Sequence, residues 1–179
     1  MPILEIFDPP RLKRKNLFTY CTAAPPVTKT SRKNRRPMTQ EMILPLPATI
    51  SRPKCIALRD ALFFLASRQG NMATVAQLLN AVYCAYLVHE TVARQPNLNL
   101  FSAAEAALHE CAVCGEITGK FDVSTDGKIA IQRVLGTYEQ QLVTVPTYIV
   151  VDAEIRLVEL LSTDFSSPII SGPDARPLH

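Results

Sequence analysis

PKCIALRDALFFLASRQGNMATVAQLLNAVYCAYLVHETVARQ, residues Pro53 to Gln95, holds the longest apolar periodicity in this 179-residue chain. Cys55, Leu58, Leu62 and Leu65 fall at i, i+3, i+7 and i+10, one stripe of a helix, and Ala61 and Phe64 widen it. After Gly70-Asn71 the spacing resumes with Val75, Leu78, Leu79, Val82, Tyr86 and His89, flanked by Tyr83, Leu87 and Val88. The stretch predicts two helices hinged at Gly70-Asn71. The second arm is so apolar that another part of the chain, or another chain, has to cover it.

Working outward, Ser51 is placed to cap the first helix, with Pro53 in its first turn, where the missing N–H costs nothing. Gly70 suits the residue just past its end, and Asn71 the cap of the second helix. Ser102-Ala-Ala-Glu105 has the spacing of a capping box and predicts a third helix through Leu108 and Cys111 to Gly115. Asp126-Gly127 between the alternating segments Lys120–Val123 and Lys128–Ile131 predicts a β-hairpin. Ile131, Val134, Leu135, Tyr138 and Leu142 fit a fourth helix, closed by Pro146. The β-branched Tyr148–Val151 reads as a strand, and Ile155 to Leu161 suits strand or helix equally. The expected fold is therefore mainly α within an α+β class. A core of three or four helices, over residues 51–162, would carry a small β-hairpin and one or two short C-terminal strands. Residues 163–179, rich in Ser, Pro and Gly, read as a loose tail.

Residues 1–50 differ in character. Residues 1–53 contain 9 of the 14 prolines, which interrupt any helix or ladder, so the segment reads as an extended arm. The net charge of +3 is split: residues 1–37 carry +7 and the remaining 142 residues carry −4. Basicity thus belongs to the arm, in the blocks Arg11, Lys13, Arg14, Lys15 and Arg32, Lys33, Arg35, Arg36. Such blocks can neutralise phosphates in a salt-sensitive way without reading sequence, which nominates nucleic acid as a partner. Met38 is placed to serve as an alternative translation start. Five scattered cysteines and no apolar secretory segment point to a reducing cytoplasm, and no run of 18 apolar residues suggests a membrane span.

Chemistry-bearing patterns are sparse. Ala66, Gly70, Ala76 and Leu79 match helix-turn-helix offsets, but Gln69 and Asn71 flank the turn and no basic residue follows until Arg94. A structural helical hairpin is the better reading. His109 with Cys111-x-x-Cys114 offers thiolates and an imidazole, but a tetrahedral zinc site needs four ligands, and only Cys84 and His89 are on hand to complete it. No metal or other cofactor is expected. With no nucleophile elbow and no glycine-rich phosphate loop, the expectation is a non-enzymatic regulatory protein. One version binds nucleic acid through the arm while the helical core dimerises. The other is an adaptor or inhibitor whose apolar surface at Tyr83, Tyr86 and Leu87 engages another protein.

Overall fold

The apolar periodicity of the central stretch becomes a pair of antiparallel helices, and the second of them is the axis of a helical bundle. The computed structural model describes residues 39–93, 98–162 and 167–169. Its helices are α1 (Gln40–Ile43), α2 (Ala48–Ala66), α3 (Met72–Val92), α4 (Leu98–Thr118), α5 (Thr125–Thr144) and α6 (Thr147–Ser162). Helix α3 packs against α2, α4, α5 and α6; α5 also packs against α2 and α4, and α1 leans on α6.

Leu58, Ala61, Leu62 and Leu65 of α2 are buried, as their stripe requires. In α3 the burial goes further, since every residue from Ala81 to Val88 is buried. Two full turns with no wet side explain why α3 is weakly amphipathic: a helix surrounded on all sides has no polar face to show. By length and composition α3 is apolar enough to cross a membrane, at a mean hydropathy of 1.2, yet 67% of that window lies inside the bundle.

Local signals set several boundaries. Asn71 caps α3, its Oδ1 accepting from the Thr74 N–H at 2.9 Å. The left-handed residue after α2 is Arg68, with φ of 59°, rather than Gly70, whose place is dictated by packing close against Leu65. Helix α2 starts at Ala48, three residues before the expected cap, which puts Pro53 inside it and leaves the Ser51 hydroxyl buried with no hydrogen-bond partner among the described residues. The Thr147 N–H and hydroxyl both donate to the Leu44 carbonyl, at 2.9 and 2.8 Å, tying the α1–α2 link to the start of α6.

The expected β-structure is absent. Among the described residues there is no strand, only an isolated antiparallel bridge between Pro45 and Pro146. Asp126-Gly127, read as a hairpin turn, lies instead in the first turn of α5. Ser124 caps that helix by accepting from the Gly127 N–H at 3.1 Å, and Asp126 places a carboxylate at the positive end of the helix. The helical stripe of Ile131, Val134, Leu135, Tyr138 and Leu142 outweighs the short alternation before it, and all five are buried. Tyr148–Val151 is likewise helical. Val150, Ala153 and Leu157 face the core at i, i+3 and i+7, so burial decides against β-propensity. Ser102-Ala-Ala-Glu105 is not a capping box either, because α4 begins at Leu98 and Glu105 is turned into the core.

Candidate functional site

Two arrangements of side chains stand out. The first is a polar cluster inside the bundle. Glu105 on α4 is only 4% exposed. It accepts a 2.8 Å hydrogen bond from the Tyr83 hydroxyl of α3, a residue with no exposed surface. His109, one turn along α4, places Nε2 at 3.6 Å from the carboxylate and 3.4 Å from the Tyr83 oxygen. Burial alone would push the Glu105 carboxyl up. Hydrogen bonds from His109, Ser167 and Tyr83 together outweigh burial and hold it below the usual carboxylate range.

That direction fixes a pH dependence. A carboxylate whose folded pKa lies below its unfolded value contributes stability that is fully present above the unfolded pKa, and the contribution is lost as pH falls through the folded pKa. Glu105→Gln is therefore expected to cost about 2 kcal/mol at pH 7. The gap to the wild type should close on acidification below the usual carboxylate range. Urea unfolding at pH 7 and pH 3 checks this, and a gap that stays constant would mean the carboxylate is not the stabilising form.

The second arrangement is a groove between α2 and α5, which run antiparallel. One lobe, of about 510 Å³, is lined by Ser51, Cys55, Ile56, Gln140 and Val143, among others. A second, of about 470 Å³, continues past Leu62, Phe63, Lys128 and Gln132. Between the two lobes Arg59 reaches across to Glu139 in a two-pronged ion pair, Nε–Oε1 2.7 Å and Nη2–Oε2 2.5 Å. Gly136 keeps the floor open, because a Cβ there would meet nothing within 4 Å. The walls are apolar and wet: Phe63 is 65%, Ile56 58% and Val143 55% exposed. Cations outnumber carboxylates along the groove, with Arg52, Arg59 and Lys128 against Glu139. Behind the groove, half-buried Lys54 pairs with Glu154 of α6 and lies 5.7 Å from the centre of the Tyr138 ring. Burial works against its charge, but Glu154 and Tyr138 hold the ammonium pKa above its ordinary value.

The residues singled out in the sequence are distributed differently. Arg11, Lys13, Arg14, Lys15, Arg32, Lys33, Arg35 and Arg36 lie outside the described residues. Tyr83, Tyr86 and Leu87, expected on a partner surface, are interior, at most 1% exposed, and face this chain's own helices. Tyr86 stacks edge-on against Phe101 at 5.6 Å, and His89 lies 5.5 Å from the same ring. Cys84 is near Tyr138 and Glu154, while Cys111 and Cys114 sit on α4, so these groups do not converge. Among the described residues no group of three or more His, Cys, Asp or Glu side chains is placed to hold a metal. Burial pushes the Cys111 thiol up to about 11 and the Cys84 thiol up to about 12, so both are protonated at neutral pH, the reverse of an activated nucleophile.

Sequence reasoning missed both arrangements. The partner of Glu105 lies 22 residues away on another helix. The groove depends on which exposed faces of α2 and α5 come to lie side by side. No family model, curated protein or solved structure matches the chain.

Proposed function

We propose that the protein is a non-enzymatic binding module that engages another protein through the groove between α2 and α5. The observation that carries this reading is the line of exposed apolar side chains at Ile56, Phe63 and Val143 beside an open floor at Gly136. Water gains nothing from such walls, whereas an apolar stripe laid between them removes both surfaces from solvent. From Arg52 to Phe63 the groove runs about 17 Å at 1.5 Å per residue, three turns of helix. An amphipathic helix fits that length, with apolar anchors at i, i+3 or i+4, and i+7. The cationic excess at Arg52, Arg59 and Lys128 favours a partner with acidic residues flanking its apolar stripe.

Two substitutions test this without touching the core. Gly136→Gln fills the floor with a good helix former, and Phe63→Asp puts a charge on the wall. Both variants should fold as the wild type does and lose the protein that wild-type bait retains from an extract of the source cell. Retention of the same protein by all three baits would refute the groove.

A second reading is favoured by the charge split, +7 in residues 1–37 against −4 elsewhere. Here the arm binds nucleic acid and the bundle supplies a dimer contact. Neutralising the eight arginines and lysines of the two basic blocks to glutamine should then abolish salt-dependent DNA retardation. Under the first reading it should leave partner capture intact.

A further inference from the structure

Helix α6 carries two apolar stripes, and the core uses one of them. Val150, Ala153 and Leu157 face inward and are buried. On the far side of the same helix Tyr148, Val151, Ile155 and Val158 fall at i, i+3, i+7 and i+10, a second stripe turned away from α3. Ile155 and Val158 are 53% and 51% exposed, and Tyr148 and Val151 somewhat less. Such spacing is the seam of a coiled coil, the pattern a helix keeps when a further element lies along it.

The edges of this outer stripe are acidic. Asp152 and Glu159, both exposed, run along one side, and Glu154 on the other side is engaged by Lys54. The only cation in the α6 sequence, Arg156, is paired with Glu90 of α3. Asp152 and Glu159 enter no ion pair among the described residues.

The groove between α2 and α5 is the complement of that stripe. Its walls at Ile56, Phe63 and Val143 are apolar and exposed. Arg52 in one lobe and Lys128 in the other likewise enter no ion pair among the described residues. From Tyr148 to Glu159 the stripe spans about 17 Å, the length of the groove from Arg52 to Phe63. Asp152 and Glu159 stand about 10 Å apart along it, inside the span bracketed by Arg52 and Lys128.

We propose that the groove takes a second copy of this chain: the outer face of α6 of one molecule lies between α2 and α5 of the next. This rests on the groove reading above and names the helix that enters. The two surfaces differ, so the contact is head-to-tail, and each molecule offers one of each. Three turns of helix bury less than the roughly 800 Å² per partner of a standard interface, so the association is weak and shows at high concentration. An outside helix of the same acidic, apolar character competes with the second copy for the groove.

Sedimentation equilibrium of the full-length chain at about 5 and about 300 µM tests this, a range that brackets a dissociation constant of about 100 µM. At the higher concentration the weight-average mass should exceed the 19.8 kDa of one chain by at least about 1.5-fold. Gly136→Gln, which fills the groove floor, and Ile155→Asp, which charges the outer stripe, should each stay monomeric throughout. Mixed one to one, the two variants should form a pair that grows no further, because each retains the surface the other has lost. Asp152→Lys combined with Glu159→Lys, at exposed positions, should abolish self-association as Ile155→Asp does. A wild type that stays monomeric at the higher concentration would overturn the proposal. So would self-association undiminished by Gly136→Gln, or a mixture of the two variants that remains monomeric. None of these outcomes involves the extract partner, whose retention by Gly136→Gln and Phe63→Asp judges the groove reading separately.

Discussion

Phe101→Ala is expected to lower the unfolding free energy by about 3–5 kcal/mol. The ring sits in the first turn of α4 with no exposed surface, edge-on to Tyr86 and beside His89, so it locks the entry of α4 onto α3. Truncation removes the transfer energy of the ring and leaves a void walled by helices that cannot collapse independently. Phe63→Ala removes the same atoms from the surface of α2, where the side chain is mostly wet, and is expected to change stability by no more than about 0.5 kcal/mol. Urea unfolding of the two variants side by side measures the contrast. A loss below about 1 kcal/mol for Phe101→Ala would place that ring outside the core and α4 in the wrong register.

The second large effect concerns a glycine and has an unusual sign. Replacing glycine by alanine inside a helix ordinarily gains up to about 1 kcal/mol. At Gly127, in the first turn of α5, a Cβ would stand 2.7 Å from the Ala107 Cβ of α4 and 3.1 Å from a Val123 methyl. It would also come within 3.0 Å of the capping Ser124 oxygen. Helices α4 and α5 touch here through a glycine and an alanine, so Gly127→Ala should destabilise by about 1–3 kcal/mol. Gly136→Ala, on the same helix, meets nothing within 4 Å and should show the ordinary gain. Ala107→Gly in the Gly127→Ala background should recover part of the loss, a non-additivity that identifies the contact. If both glycine substitutions prove stabilising, α4 and α5 do not approach as described.

These two cases show how far the sequence could be read. The stripes of α2 and α5 are one-sided, so spacing alone reveals them; Leu58, Leu62, Leu65 and Ile131, Val134, Leu142 are all buried. The Asn71 cap was legible for the same reason, being local. Asp126-Gly127 was not, because the same dipeptide serves a hairpin turn that needs left-handed backbone and a helix contact that needs no Cβ. Tyr83, Tyr86 and Leu87 showed that α3 must be covered, but not by what. The answer lay in α2, α4, α5 and α6, all of which pack against it. Glu105 illustrates the limit for the candidate site. Ser-x-x-Glu spacing is identical at a helix start and in its middle, and only the tyrosine on the facing helix distinguishes them.

The enclosure of α3 also bears on how the protein comes apart. Helix α3 touches all the other longer helices, so no outer helix can be stripped away without wetting it, and the amides of Ala81 to Val88 should exchange with deuterium only when the whole molecule opens. Once released, a 21-residue greasy rod of this kind has nowhere comfortable to go in water except toward another like itself or a lipid bilayer. Heating at micromolar concentration should accordingly end in precipitate rather than in a reversible transition.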